Sequence, residues 1–142
     1  FIGRSGSGKS TMARALLACG YGFVSDDRVL LWRRGDELLA HTSFEQPNPF
    51  QRWTRLRPEA DPPPQPLPPP PLGRAFSLGE LWFVEVDAGA ATAASPLSAA
   101  ETAARLAVSG SGVLEPLGPL PVARRLTLGT GADTMIDQLF RR

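Results

Sequence analysis

Residues 3–10 of this 142-residue chain, with the sequence GRSGSGKS, decide how its first part folds. They match the pattern G-x-x-x-x-G-K-[ST] at every fixed position. Glycine permits the left-handed backbone that turns consecutive amide N–H groups inward, and a helix beginning near Lys9 adds the positive end of its dipole. The stretch therefore predicts a phosphate-binding loop, in which Lys9 contacts the β- and γ-phosphates and the Ser10 hydroxyl binds Mg²⁺. The residues expected at the phosphates are Gly3, Ser5, Gly6, Ser7, Gly8, Lys9, Ser10 and Thr11.

Two observations argue against a chance match. At ordinary residue frequencies, the four fixed positions coincide by chance in about half a percent of chains of this length. Lys9 is also the only lysine in the chain, because the other basic residues are all arginine. The alternative interpretation, a flexible Gly/Ser linker, leaves the position of that one lysine unexplained.

The segments on either side of the loop have the expected character. Phe1 and Ile2 resemble the end of a β-strand, and apolar residues recur at helical spacing from Lys9 to Cys19. Gly20 stands where a helix ends in the left-handed conformation. We therefore expect a strand, a loop and a helix in that order. Because the chain opens on Phe1 rather than on methionine, we expect it to be truncated within that strand.

Further apolar runs predict strands along the rest of the chain. A hairpin is expected where Gly35 supplies a tight bend between two of these runs, and residues 88–94, which are mostly small, are expected to be flexible. Arg124 and Arg125 are expected to be exposed on the last strand. The predicted strands are 21–25, 29–32, 37–40, 81–86 and 121–128.

Two further helices are predicted from their capping residues. Ser98 with Glu101 three residues later forms a capping box, and Thr130 with Asp133 resembles a second cap. An apolar stripe follows the second cap. Together with the strands, these helices predict the α/β class, a mixed sheet with flanking helices.

Composition excludes several classes of protein. A net charge of +1 lacks the basic excess of a nucleic-acid-binding protein, and no apolar run of eighteen residues is present that could cross a membrane. Cys19 is the only cysteine, so no intrachain disulfide can form and a reducing compartment, the cytoplasm, is expected. The only histidine, His41, excludes a multi-histidine metal site. The length suits one domain, residues 1–142.

A proline-rich loop, residues 58–73, interrupts this domain. Eight of the ten residues from 62 to 71 are proline, which enforces an extended polyproline II backbone. We expect an exposed loop rather than a domain boundary, because neither flank looks self-sufficient. Just before it, Arg52, Arg55 and Arg57 surround Trp53, and these arginines either bind phosphate or an acidic acceptor or are simply solvated.

Two acidic pairs are candidates for the carboxylates that phosphoryl transfer needs. Asp26 and Asp27 follow the predicted strand 21–25, where a βαβ arrangement brings them beside the loop. Aspartates are also common in turns, so a structural role stays open for this pair. In that case Glu85 and Asp87, at the end of a hydrophobic strand, are the alternative metal ligands.

The first part of the chain resembles the catalytic core of HPr kinase/phosphorylase and related P-loop kinases. The resemblance covers residues 1–31, and its later part is the glycine, apolar strand and double aspartate of residues 20–27, GYGFVSDD. Residues after 31 match this family in the order of elements only. The positions that carry the resemblance are Gly3, Ser5, Gly6, Gly8, Lys9, Ser10, Ala13, Leu16, Gly20, Val24, Asp26, Asp27, Val29 and Leu31.

This resemblance implies a nucleotide-binding core like that of phosphoenolpyruvate carboxykinase, which uses ATP and Mg²⁺. It implies transfer of phosphate to the serine hydroxyl of a protein or peptide, or to a small molecule. By position, Lys9 and the loop amides would hold phosphates, Ser10 and Asp27 would bind the metal, and Asp26 would accept the proton. Tyr21 stands where the family often has histidine, and the family's glycine-rich acceptor signature is not found, which favours an acceptor other than HPr.

Two alternatives to a kinase remain from the sequence. The first is a nucleotide-binding switch or accessory module that has lost transfer, which would need the loop but no proton acceptor. The second is a nucleotide hydrolase that uses Glu85 or Asp87. The expected partners are a nucleotide and a hydroxyl-bearing acceptor, without nucleic acid or membrane, and a homo-oligomer is left open.

Overall fold

The protein is a mixed α/β structure with helices flanking a mixed sheet, as the sequence predicts. The computed structural model describes residues 1–25, 29–41, 74–109 and 118–140, except for the side chains of Asp133 and Thr134. The elements in this part of the chain are α1 Lys9–Ala18, β1 Leu30–Arg34, β2 Glu37–His41, β3 Ala75–Ser77, β4 Glu80–Ala91, β5 Ala93–Pro96, α2 Ala99–Ser109, β6 Val122–Thr130 and α3 Ala132–Phe140.

Several residues singled out by the sequence lie outside the described residues. They are the acidic pair Asp26 and Asp27, the proline-rich segment 58–73, and the cluster Arg52, Trp53, Arg55 and Arg57. The expectations made for these residues therefore stay predictions.

The larger sheet is mixed and has the order β4-β6-β5. Strand β6 runs parallel to β4 and antiparallel to β5. On the other edge of β4, the Ile2 amide donates to the Trp82 carbonyl at 2.8 Å, and the Val84 amide donates to the Ile2 carbonyl at 2.7 Å. Ile2 thus forms a parallel bridge with Phe83, which places the start of the chain beside β4 as a further parallel strand segment.

Side-chain alternation along β4 and β6 gives this sheet two apolar faces. On one face, Trp82, Val84, Leu126 and Leu128 form a core with helices α1 and α3. On the opposite face, a smaller cluster includes Leu81, Phe83 and Ala123 and is covered by Leu106 of α2. The sheet therefore lies between two helical layers, and the apolar run of β4 is continuous because both its faces are buried. The buried residues that α1 and α3 contribute to the first core are Met12, Ile136 and Phe140.

Helix α2 begins at the predicted capping box. The Ser98 amide donates to Oε2 of Glu101 at 2.9 Å, and the Glu101 amide donates to the Ser98 hydroxyl oxygen at 3.3 Å. These reciprocal bonds satisfy amides that have no partner within the helix. The prediction of a cap at Thr130 for α3 is wrong, because the Gly131 carbonyl accepts the first helical bond, from Met135, at 3.1 Å. Thr130 instead belongs to β6.

The expected strand at residues 21–25 is absent, because these residues are described without strand pairing. Tyr21 packs against the first core instead. Gly22 adds no side chain to such a strand and carries a large entropic cost on ordering, so apolar residues alone do not specify a strand here without a partner for its backbone.

The prediction that residues 88–94 are flexible is also wrong, because β4 continues to Ala91 and β5 begins at Ala93. The connection passes directly over Gly129, where a Cβ atom would overlap the Asp87 and Ala90 carbonyl oxygens. Thr92, between β4 and β5, holds this connection against β6. Its hydroxyl accepts a hydrogen bond from the Gly129 amide at 2.8 Å, and its amide donates to the Thr130 carbonyl at 2.9 Å.

The smaller sheet has the order β1-β2-β3 with antiparallel neighbours. The predicted hairpin between β1 and β2 is confirmed, with Gly35 at φ 58° as the first of two loop residues. The Leu78 amide, in the segment between β3 and β4, donates a hydrogen bond of 2.8 Å to the Leu38 carbonyl of β2. This bond attaches the segment that leads into β4 to the smaller sheet. No helix within the described part of the chain is long and apolar enough to cross a membrane.

Arg124 and Arg125, which the sequence predicts to be exposed, are half-buried on the central strand β6, with 39% and 42% of their side chains exposed. The Arg124 guanidinium lies over the Trp82 ring at 5.6 Å and 4.0 Å from the carboxylate of Glu80. On the other face, Arg125 approaches Glu85 at 3.8 Å. The two side chains therefore cover opposite sides of the sheet.

Candidate functional site

The glycine-rich loop leaves the sheet next to β4. After the bridge between Ile2 and Phe83, the backbone at Gly3 lies so close to Val84 that a Cβ atom there would overlap the Val84 carbonyl oxygen and the Ser7 hydroxyl. Glycine at position 3 is therefore required by close packing rather than by an unusual dihedral angle. The contact with Val84 fixes where the loop begins.

Two other glycines of the loop have left-handed backbones. Gly6 has φ 82° and Gly8 has φ 88°, values that side-chain-bearing residues adopt only at a cost. At Gly8 a Cβ atom would also lie 2.7 Å from Cδ1 of Leu128, whereas at Gly6 it would meet no atom within 4 Å. Gly8 thus packs on the apolar side chain of Leu128 in β6. The structure therefore explains why glycine is needed at positions 3 and 8, the two fixed glycines of the sequence pattern.

The Lys9 ammonium holds the start of the loop. It donates to the Gly3 carbonyl at 2.9 Å and to the Arg4 carbonyl at 2.7 Å. The Arg4 carbonyl also accepts from the Ser7 amide at 3.2 Å, which closes a tight turn. An ammonium has three donors, and only these two acceptors engage it within the described part of the chain, so one donor remains for a ligand.

The first turn of α1 presents amide donors without a cap. Gly8 occupies the cap position and makes no side-chain hydrogen bond, and the first turn carries no acidic residue. Amides at such a helix end are unsatisfied within the helix and lie at the positive end of its dipole. The backbone here suits an anion, and Ser10 and Thr11 are the hydroxyl-bearing residues of this turn.

The Ser7 hydroxyl is buried beneath the loop. Ser7 is 8% exposed, and its Oγ has no hydrogen-bond partner among the residues that the structure describes. It lies against Gly3, on the inner side of the turn that Lys9 holds. The side chain of Ser7 therefore fills the loop interior. The backbone amide of Ser7 already donates a hydrogen bond to the Arg4 carbonyl.

Glu85, one of the alternative acidic residues, has partners on the α2 side of the sheet. Its carboxylate lies 3.6 Å from Arg105 and 3.8 Å from Arg125, and it accepts a hydrogen bond of 3.2 Å from the Thr127 hydroxyl. Leu128, on which the loop packs, belongs to the opposite face of the same sheet. The ion pairs give Glu85 a structural role that joins α2 to β6.

Asp87 lies two residues further along β4, towards its carboxyl end. One of its carboxylate oxygens, Oδ1, accepts from the Gly89 amide at 3.0 Å. Because the segment entering the loop runs parallel to β4 and beside it, the carboxyl end of β4 and the loop lie at the same edge of the sheet. Asp87 therefore lies towards the same end of the sheet as the loop, and its one observed side-chain partner among the described residues is the Gly89 amide.

Across the described ranges, no three His, Cys, Asp or Glu side chains lie close enough together to hold a metal ion. Of the predicted site residues that the structure describes, residues 3–11 lie together in the loop and the first turn of α1. Asp87 lies on the neighbouring strand β4. Two supporting residues were missed from the sequence, Val84 and Leu128. Only the requirement of glycine at positions 3 and 8 for close neighbours could have indicated them.

Comparison of the chain with models of protein families, with curated proteins and with solved structures found no match. A functional proposal for this protein therefore rests on the loop and its surroundings.

Proposed function

We propose that the chain is a Mg²⁺-dependent kinase that binds ATP at residues 3–11 and transfers its terminal phosphate to a hydroxyl group. The observation that carries this proposal is the Lys9 ammonium, which two loop carbonyls hold at 2.9 and 2.7 Å and whose third donor has no acceptor among the described residues. The uncapped first turn of α1 beside it supports the same conclusion, since both features favour an oxyanion with several acceptor oxygens.

The finer fold that we propose is a nucleotide-binding core like those of HPr kinase and phosphoenolpyruvate carboxykinase. Its support is the order of strand segment, loop and helix at residues 1–18, together with a parallel neighbour, β4, beside the strand segment. The match of the loop to the phosphate-binding pattern and the resemblance of residues 1–31 add to it.

The residues of the loop fit a triphosphate with its metal ion. Lys9 and the amides at the start of α1 would hold the phosphate oxygens, and the Ser10 hydroxyl would be a metal ligand together with Asp27. Bound Mg²⁺ would neutralise charge that develops on the transferred group. Lys9 would stabilise the same charge from the loop side, because its ammonium is already oriented by the carbonyls of Gly3 and Arg4.

The proton of the acceptor hydroxyl would pass to the Asp26 carboxylate. The acceptor oxygen then forms a bond to the terminal phosphorus, the bond to the bridging oxygen breaks, and ADP leaves with that oxygen. The acceptor is a serine of a protein or peptide, or a small molecule. Asp26 and Asp27 enter this scheme from the resemblance to the kinase family alone, because residues 21–25 form no strand that would bring the pair beside the loop.

The first test is Lys9→Ala, measured by ATP binding in titration calorimetry and by transfer of labelled phosphate to serine-containing peptide libraries and small polyols. We expect binding to weaken at least tenfold, since a hydrogen bond to a charged group contributes about 1.5–3 kcal/mol. Circular dichroism checks the fold, because the substitution also removes both bonds to the loop carbonyls. Transfer at the original rate would overturn the proposal.

Asp26→Asn separates a kinase from a module that only binds nucleotide. In a kinase, this substitution abolishes phosphate transfer and leaves the affinity for ATP unchanged, because the asparagine amide cannot accept the proton. In a module that only binds nucleotide, the substitution leaves binding unchanged and there is no transfer to lose.

The position of Asp87 at the loop edge of β4 favours a second candidate, a nucleotide hydrolase. That enzyme would release phosphate without an acceptor and would lose this activity in Asp87→Asn but not in Asp26→Asn.

A further inference from the structure

The Arg4 side chain is an unused cation on the glycine-rich loop. Its side chain is exposed, and no hydrogen bond or ion pair engages its guanidinium among the residues that the structure describes. Its backbone, in contrast, is held firmly, because its carbonyl accepts from Lys9 at 2.7 Å and from the Ser7 amide at 3.2 Å. A guanidinium with no partner among the described residues, on a backbone that is held in place, is available for contact with a ligand.

The charge of the surrounding sequence supports an anionic contact. Residues 1–25 contain three basic residues and no acidic residue. Two other described arginines lie beside carboxylates: Arg34 is 2.9 Å from Glu37, and Arg105 is 3.6 Å from Glu85. Arg4 differs from these two in that no carboxylate among the described residues pairs with it, although guanidinium pairs readily with carboxylate and phosphate.

We infer that Arg4 binds the terminal phosphate of a triphosphate held in the loop, so that it determines the preference for ATP over ADP. This inference rests on the proposed function, since it needs a nucleotide in the loop. The Lys9 ammonium donates to the Arg4 carbonyl at 2.7 Å, so the backbone from which the Arg4 side chain extends lies close to this ammonium. The two cations would together match the charge of about −2 that remains on a triphosphate with one Mg²⁺.

The substitution that tests this role is Arg4→Ala, with Arg4→Lys as a conservative variant. Alanine is compatible with the backbone, because no residue other than glycine has a positive φ within the described residues. The bonds made by the Arg4 carbonyl are main-chain bonds and persist in any variant, so the thermal unfolding midpoint should stay unchanged. The matched control is Arg34→Ala, which removes the same charge from a side chain that is 73% exposed on the smaller sheet.

The measurement is the ratio of the dissociation constants for Mg·ADP and Mg·ATP, determined by titration calorimetry. In Arg4→Ala we expect affinity for ATP to fall about tenfold or more while affinity for ADP changes by less than threefold. Arg4→Lys should retain part of the preference, because an ammonium keeps the charge and loses the paired donors. Arg34→Ala should leave both constants unchanged.

Each other outcome overturns the inference and shows which step failed. An equal loss for ATP and ADP means that Arg4 acts as a general positive charge. An unchanged ratio in Arg4→Ala means that it contacts no phosphate, and in both cases the proposed nucleotide binding stands. If the unmodified protein binds neither nucleotide, the proposed function fails and the inference fails with it.

Discussion

At the scale of single residues, glycine has two separate functions in the loop. Gly3 permits close approach of the backbone to Val84, whereas Gly6 and Gly8 supply left-handed dihedral angles. The pattern of the sequence contains both kinds of glycine without distinguishing them. The difference has consequences for substitution, because a clash with a backbone oxygen cannot relax in the way that a contact with a flexible side chain can.

Gly8→Ala should abolish nucleotide binding, because it strains the backbone at φ 88° and pushes against Cδ1 of Leu128 beneath the loop. Gly20 has the same φ of 88°, lies at the end of α1 and has no atom near the position of a Cβ, so Gly20→Ala is the matched control. Both substitutions should lower the free energy of unfolding by about 1 kcal/mol or more. Calorimetric titration with Mg·ATP distinguishes them, and equal loss of binding in the two variants would contradict a local role for Gly8.

At the scale of the elements, helix α2 depends on its capping box. The Ser98 hydroxyl donates to the Glu101 carboxylate at 2.6 Å, and the Ser98 amide donates to it at 2.9 Å. These two bonds hold the pKa of Glu101 below its ordinary value, and the bond from the Ser98 hydroxyl has the larger effect. A carboxyl group whose pKa is lowered on folding binds fewer protons in the folded state than in the unfolded state, so it stabilises the fold as pH rises.

The contribution of Glu101 should therefore be fully present above its ordinary pKa of about 4.3 and disappear as pH falls through the lowered folded-state value. The measurement is urea denaturation of the unmodified protein and of Glu101→Gln from pH 7 to pH 2.5. The difference in unfolding free energy should shrink on acidification. Glu37 also has a lowered pKa, from bonds with Ser77 and Arg34, so only the difference between the two proteins isolates Glu101. A difference that is constant with pH would show that the carboxylate charge is irrelevant to the cap.

At the scale of the whole molecule, β6 is the strand that organises the sheet. It lies between β4 and β5 and carries buried residues on both faces, Ala123 towards α2 and Leu126 towards α1 and α3. It also contributes Leu128 to the floor below Gly8. Because β6 is distant from the loop in sequence, the loop geometry depends on the assembly of the whole sheet rather than on residues 3–10 alone.

Leu126→Ala should lower the free energy of unfolding by about 2–5 kcal/mol, since Leu126 is 0% exposed and its truncation leaves a cavity in the core. Val122→Ala on the same strand is the control, because Val122 is 58% exposed and its truncation should cost less than about 0.5 kcal/mol. Urea denaturation followed by circular dichroism measures both. Similar losses for the two variants would place the core elsewhere.

The sequence by itself determined the features whose causes lie within a few residues: helix α1 with the left-handed glycines before it, the Gly35 hairpin, and the capping box of α2. Local dihedral preferences and short-range hydrogen bonds are sufficient for these. Only the tertiary structure decided that the loop packs on Val84 and Leu128, that residues 21–25 form no strand, that residues 88–91 extend β4 over Gly129, and that Arg124 and Arg125 are half-buried. The physical reason is that a strand exists only through its neighbours, so pairing and burial depend on residues far apart in the chain.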